Sequence, residues 1–488
     1  MQLHFLLIIL IIVVSVALIF PKNGVALGEK VILKFHWSLN SFSNSDVQYA
    51  DITKIINENQ SIILEDTLLL IDIEKGIDTV KASAAELNAR VHFIEYPAGD
   101  LNILNSFFQK LDNSDKSRVR ILHYGDSQIE GDRITGYLRN RFQRRFGGSG
   151  PGLLPAIPSH AESASIQHFA SRNWQAHSVY YKKDTILPHR RFGVLGSFGR
   201  FTNYKEDSIV TDSSIKTATI EFKRSGMAYS SVNNFNQCRI FYGHCNEKFV
   251  VKGFVNDSLI WFQEMDTTQN TQNFQWNFTS TPTDFRVEFE STKSPDIYGI
   301  SLETKVGVAV DNLPFRGSSG TEFTKLEYNQ LKQMANFLKS GLVIMEFGVN
   351  VVPHHIKSYS YYERALTRQL KYLKYVFPKT PILVIGLSDM SKRTGNYYES
   401  HPNIEKINLA QRNAAKNANC AFWDLYSAMG GKNSMPSWVF AEPPLARKDF
   451  THFNRKGGHI VAQMLYNALM HDYESYKADK KNVAVNTN

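Results

Sequence analysis

Cysteine is nearly absent, with only Cys238, Cys245 and Cys420 in 488 residues. So small and odd a number excludes a disulfide-stapled scaffold, and no CxxC pair or clustered His/Cys spacing marks a zinc site. Cys238 and Cys245 lie seven apart in a β-rich stretch, where an oxidising compartment would allow a hairpin bridge. Cys420, in the apolar run NCAFWDL, reads as a small buried hydrophobe. Long apolar runs are also scarce. The one exception, Phe5 to Phe20, is sixteen residues, long for a signal core and short for an unaided span of a hydrocarbon layer about 30 Å thick. No Lys or Arg precedes it, and Pro21 and the small residues of Gly24-Val25-Ala26 follow. Residues 1–26 therefore read as a signal peptide or membrane anchor, with cleavage favoured, and the remainder as exported to the periplasm or cell envelope. Export sets nucleic acid aside as the partner of the net charge of +9 and leaves an anionic lipid or acidic glycan.

At 43% hydrophobic and 21% charged, the chain has the composition of a globular protein, not a disordered one. Residues 27–93 carry no catalytic pattern. From residue 94 a helical pattern leads into the apolar run Val119 to Tyr124. Three further runs, GLVIMEF (341–347), PILVIGL (381–387) and CAFWDL (420–425), are each followed by a helix-period segment. Short continuous apolar strands alternating with amphipathic helices predict a doubly wound α/β domain on a parallel sheet, divided into residues 94–200 and 305–474. Between them, six or seven aromatic or β-branched runs at roughly ten-residue spacing predict an inserted antiparallel sandwich or jelly roll over 201–304. Residues 475–488 read as a flexible tail.

The chemistry concentrates at strand ends. Gly125-Asp126-Ser127 closes the first strand before a helix, placing Ser127 at the carboxyl edge, where open α/β sheets bind their ligands. Taken alone, Ser127 could be a helix cap, because a nucleophilic serine needs a base, a group to orient that base, and oxyanion donors. RKDFTHFN supplies Asp449 and His452, three apart. MEFGVNVV places Asn350 after the Gly341 to Phe347 strand, and VAVDNLPFRGSSG ends a strand in a glycine turn containing Gly317.

These four blocks, in this order, resemble the SGNH (GDSL-type) hydrolases. They span 119 to about 470 apart from the insert. HYGDSQIEGDR, the inserted sandwich and the export signal resemble more narrowly the bacterial envelope members that act on O-acetylated peptidoglycan or polysaccharide. The resemblance implies a flavodoxin-like sheet and an acetylesterase with Ser127 as nucleophile, His452 as base and Asp449 as orienting acid. It implies an oxyanion hole from the Ser127 N–H, the Gly317 N–H and the Asn350 amide, an acetylated glycan as substrate, and no cofactor or metal. Two alternatives accompany it: an O-acyltransferase using the same acetyl-enzyme with a membrane acyl donor as partner, and a non-catalytic glycan-binding protein. One departure is Val351, where many relatives have an acidic residue, followed by His354-His355.

Other residues read as structural. His123 is a packed, hydrogen-bonded histidine and Asp126 a brace of the turn. Arg139, Arg141, Arg144 and Arg145 form a solvated helix face. Trp261 and Trp276 are core or strand-pair residues. Asp424 is the rival triad acid, since it too follows a strand.

Overall fold

The computed structural model describes residues 25–26, 32–33, 47–64, 92–158, 163–180, 187, 189–203 and 214–486. Residues 1–48 and 49–488 form separate compact units. In the first, Val25–Ala26 pairs antiparallel with Ile32–Leu33. The rest of the expected signal or anchor segment lies outside the described residues. Among the described residues no helix is long and apolar enough to cross a membrane.

In the second unit five parallel strands form one sheet: β1 (Arg118–Gly125), β2 (Gly307–Pro314), β3 (Ser340–Glu346), β4 (Ile382–Ile385) and β5 (Ala421–Trp423). Their order is β2-β1-β3-β4-β5, a flavodoxin-like arrangement that reverses direction between β1 and β3. Each strand is followed by a helix: α1 (Thr135–Phe146), α2 (Tyr328–Leu338), α3 (Ser360–Val376), α4 (Ile404–Asn417) and α5 (Arg455–Asn486). The continuous apolar runs are explained by burial on both faces. Tyr124, Val343, Met345 and Val384 pack with residues of α2, α3 and α4, while Ile121, Leu342, Ile344 and Leu383 pack with Leu138 and Phe142 of α1 and Val461 and Leu465 of α5. Register aligns the strand ends: Gly125 sits opposite Pro314 on one side and Glu346 on the other.

Two antiparallel sheets form the insert. One runs in the order Ser258–Met265, Phe249–Val255, Asp284–Ser291, Lys216–Arg224, Ile166–Ala170. The other runs Gln272–Asn277, Gln237–Gly243, Asp296–Glu303, Ser197–Arg200, Gln175–Ser178, with Gly152–Leu154 also paired to Asp296–Glu303. Four strands before residue 201 thus join the sandwich, which begins at Gly152 rather than at 201. Sequences such as QAHS and SFGR are too short and too polar to reveal a strand period. Residues 475–486, read as a flexible tail, continue α5.

Two further expectations fail on geometry. Cys238 and Cys245 are both buried free thiols. Cys238 lies within an extended strand, so seven residues of chain at roughly 3.3 Å each hold them too far apart to bridge. Arg139 is no solvated residue either: it is buried, pairs with Asp132 at 2.9 Å and donates to the Val310 carbonyl at 2.7 Å. Arg141 and Arg145 lie over Tyr466 and Tyr473 of α5. Trp261 and Trp276, on strands of different sheets, stack nearly parallel with centroids 4.8 Å apart, as residues of the sandwich core.

A buried ionic cluster joins sandwich to sheet. Arg120 on β1 pairs with Asp311 on β2 at 2.6 Å and with Glu303 of the sandwich, while Glu303 also faces Arg118 at 2.9 Å and Arg239 at 3.6 Å. Removing one partner from such a cluster strands the others in a medium that solvates charge poorly. Arg120→Met is therefore expected to cost about 3–5 kcal/mol, read as a lower denaturation midpoint; an unchanged midpoint would refute it.

Candidate active site

Gly125 ends β1 where a Cβ would meet the Glu346 carbonyl oxygen and the Ile129 side chain, both at 2.9 Å. Only glycine lets the chain turn that close to β3. Asp126 then anchors the turn from beneath. Its carboxylate accepts from the Gln128 N–H at 3.0 Å and from the Gly348 N–H at 3.1 Å, tying the end of β1 to the start of the loop after β3. His123, buried one turn of the strand below, shares a hydrogen bond of 2.8 Å with Glu346.

Ser127 emerges half-buried from this brace. Its Oγ lies 2.7 Å from His452 Nε2, and His452 Nδ1 lies 2.9 Å from Asp449 Oδ2. The second Asp449 oxygen accepts from the N–H groups of Thr451 and His452, each at 3.0 Å. Burial works to raise the Asp449 pKa, but the hydrogen bonds from His452 and Thr451 outweigh it and hold the carboxyl below its ordinary value. Serine, histidine and aspartate are thus one hydrogen-bonded chain. Asp424 is committed elsewhere: it caps the short helix Leu425–Ala428 and pairs with Arg412 at 2.6 Å and Asn408 at 2.8 Å.

The three expected donors occupy the same sheet edge. Neither the Ser127 N–H nor the Gly317 N–H has an acceptor among the described residues. Gly317 holds φ at +78°, and a Cβ there would meet nothing within 4 Å, so the position faces open space. Asn350 spends one amide hydrogen on the Ser318 carbonyl at 2.8 Å, fixing the Gly317 loop against the end of β3, and keeps the other. Val351 is buried, and His355 Nε2 lies 3.3 Å from His401 Nδ1.

Two residues of the HYGDSQIEGDR stretch to which sequence reasoning gave no role complete the site. Gln128, directly after the serine, donates to the Thr451 carbonyl at 2.7 Å and accepts from the Phe453 N–H at 3.4 Å, gripping the chain on both sides of His452. Arg133 donates to the carbonyls of Ser127 and Gln128, each at 3.0 Å. A cavity of about 650 Å³ opens beside the site between the sheet edge and the sandwich, with Arg316, Gly317, Tyr180 and Phe169 among its walls.

Asp126 gives the site a pH signature. Burial, with a lesser push from Glu346, raises its pKa to about 7 against the three opposing backbone N–H bonds. The folded chain therefore holds this proton more tightly than the unfolded chain. The stabilisation is full below about pH 4 and is lost as pH rises to 7. Relative to Asp126→Asn, the wild type is expected to lose a few kcal/mol over that interval, at about 1.4 kcal/mol per pH decade. A difference in unfolding free energy that is flat with pH would refute the assignment.

No family model matches this chain, and no curated protein matches it. Among solved structures, a peptidoglycan O-acetylesterase superposes with a TM-score of 0.61 at 20% identity, over 78% of this chain and 99% of that one. An acetyl xylan esterase, AlAXEase, matches at 16% identity and a TM-score of 0.26, over 33% of this chain and 81% of its own. A family two carbohydrate esterase from Cellvibrio japonicus matches at 8% and 0.25, over 63% and 98%. Only the first has a TM-score high enough to carry weight, and at its identity it speaks to architecture. The chain has the fold of that peptidoglycan O-acetylesterase, a doubly wound α/β domain carrying a β-rich insert.

Proposed function

We propose that the protein is an exported serine esterase that removes O-acetyl groups from a cell-envelope glycan. The observation that carries this reading is the continuous chain from Ser127 through His452 to Asp449, at a sheet edge where two backbone N–H groups lack acceptors among the described residues. The shared fold with an O-acetylesterase supports it. In this reading His452 Nε2 takes the Ser127 proton as Oγ attacks the acetyl carbonyl. The oxyanion is met by the N–H groups of Ser127 and Gly317 and the free hydrogen of the Asn350 amide. His452 returns the proton to the departing sugar oxygen, then activates water, which releases acetate from Ser127. Asp449 keeps the proton on Nδ1 and stabilises the imidazolium. The cavity beside Gly317 gives the glycan its approach.

Incubation of the purified chain with O-acetylated peptidoglycan, with and without a non-acetylated glycan acceptor, tests this. Free acetate equal to the acetyl lost from the substrate is expected. Acetyl recovered on the acceptor would make the protein a transferase, and no acetyl loss alongside glycan binding would make it a binding protein.

A further inference from the structure

We propose that Tyr398 is a positioning residue for the triad: its ring, on a hairpin held by Tyr49, keeps Phe450 in the left-handed conformation that folds Asp449 back onto His452. This role rests on the esterase reading and adds two residues to it, one of them from the N-terminal stretch that carries no catalytic pattern.

Phe450 lies between Asp449 and Thr451 and holds φ at +54°. A bulky residue is strained there, so its neighbours must impose the conformation. The reversal at Phe450 lets one Asp449 oxygen accept from the N–H groups of Thr451 and His452 while the other faces His452 Nδ1 at 2.9 Å. The turn closes on itself through the Phe450 N–H to the Arg447 carbonyl at 3.0 Å and the Arg447 N–H to the His452 carbonyl at 2.8 Å. Gln128 grips the backbone at Thr451 and Phe453. None of these bonds covers the Phe450 ring.

That ring is covered from elsewhere in the chain. Ser391–Thr394 and Tyr397–Ser400 pair as an antiparallel hairpin after β4. The Ser391 N–H donates to the Phe450 carbonyl at 3.0 Å, and the Tyr398 ring stacks on the Phe450 ring with centroids 3.6 Å and planes 11° apart. Phe440, closing the helix Ser434–Phe440, meets Phe450 edge-on at 5.6 Å. Phe450 is buried as a result, although Asp449 beside it is exposed. The hairpin is fixed in turn. The Tyr398 N–H donates to the Tyr49 hydroxyl at 3.2 Å, and Ser400 and Asn433 exchange hydrogen bonds of 2.9 and 2.7 Å. Tyr49 is tied down through Ala50, whose N–H donates to the Asn433 carbonyl at 3.3 Å and whose carbonyl accepts from the Ser437 hydroxyl at 2.6 Å. Among the described residues Tyr398 makes no hydrogen bond or ring contact with Ser127, His452 or Asp449, so it acts through Phe450.

Steady-state hydrolysis of an aryl acetate by the full chain tests this. Tyr398→Ala is expected to lower kcat about tenfold with KM within about twofold, because the triad is displaced while the substrate's contacts stay. If that variant fails to fold, Tyr398→Leu, which fills the space without a flat face, takes its place. Tyr398→Phe, which keeps the ring, is expected to stay within about twofold of the wild type, and Tyr49→Phe, which takes the acceptor from the Tyr398 N–H, to lower kcat about threefold. Phe450→Gly supplies the discriminating background. Glycine adopts positive φ unaided and has no ring to stack on, so adding Tyr398→Ala there is expected to change kcat by less than about twofold. Equal losses in the two backgrounds, a loss carried by KM, or full kcat in Tyr398→Ala would overturn the proposal, and full kcat in Tyr49→Phe would remove Tyr49 from it. One readout needs no turnover: the proton between His452 Nδ1 and Asp449 gives a far-downfield NMR resonance, expected in the wild type and Tyr398→Phe and lost or broadened in Tyr398→Ala. A wild type with that pattern that cleaves no aryl acetate would sink the esterase reading alone, and a resonance unchanged in Tyr398→Ala would sink the positioning role alone.

Discussion

Ser127→Ala is expected to lower hydrolysis of an aryl acetate by about 10⁴-fold or more while leaving the melting temperature near that of the wild type. The hydroxyl is half-buried, and its one hydrogen bond among the described residues is the 2.7 Å contact with His452, so its loss removes little packing and leaves no buried donor stranded. The turn itself is held by Gly125, Asp126 and Arg133, none of which depends on the Ser127 side chain. Whatever turnover survives reflects binding and the oxyanion donors alone. A variant that cleaves the ester at the wild-type rate would remove Ser127 from the mechanism and with it the esterase reading.

The second large effect separates the two acids. Asp449→Asn is expected to cost about 10²- to 10⁴-fold in rate with the fold intact. The asparagine can still accept from the N–H groups of Thr451 and His452, but it presents an amide hydrogen to His452 Nδ1, forcing the wrong tautomer and leaving the imidazolium without its counter-charge. Asp424→Asn is expected to leave the rate within about threefold, since Asp424 faces Arg412 and Asn408 rather than the histidine. Parallel kinetics on the two variants decide between them: if the Asp424 variant is crippled and the Asp449 variant is normal, the orienting acid has been misplaced while the serine chemistry stands.

The parallel sheet was legible because strands covered on both faces leave unbroken apolar runs, and the site because its side chains cluster at the ends of those runs. Ser127 meets His452 from 325 residues away, and Asp449, three residues before His452, lies against the same imidazole. What the sequence concealed has a common cause, namely dependence on partners far along the chain. Gln128 and Arg133 act on backbone carbonyls and N–H groups, which impose no residue pattern. Arg139 looks like any arginine on a charged helix until Asp132 and Val310 close over it. The first of the early sandwich strands, Gly152–Leu154, gains its identity only by pairing with Asp296–Glu303, far along the chain.

The ionic cluster around Arg120 bears on how the molecule responds to force. β2 carries both Asp311, clamped to Arg120, and, just beyond its end, Gly317. The sandwich is anchored to that pair through Glu303, and through Leu153, whose N–H donates to Asp311 at 2.8 Å. A pull on the sandwich is therefore transmitted straight to the strand that leads to Gly317, the proposed oxyanion donor. Stretched between a bead and a surface, the chain should yield in one rupture in which the insert and the sheet give way together, and Arg120→Met should divide that rupture into two weaker steps.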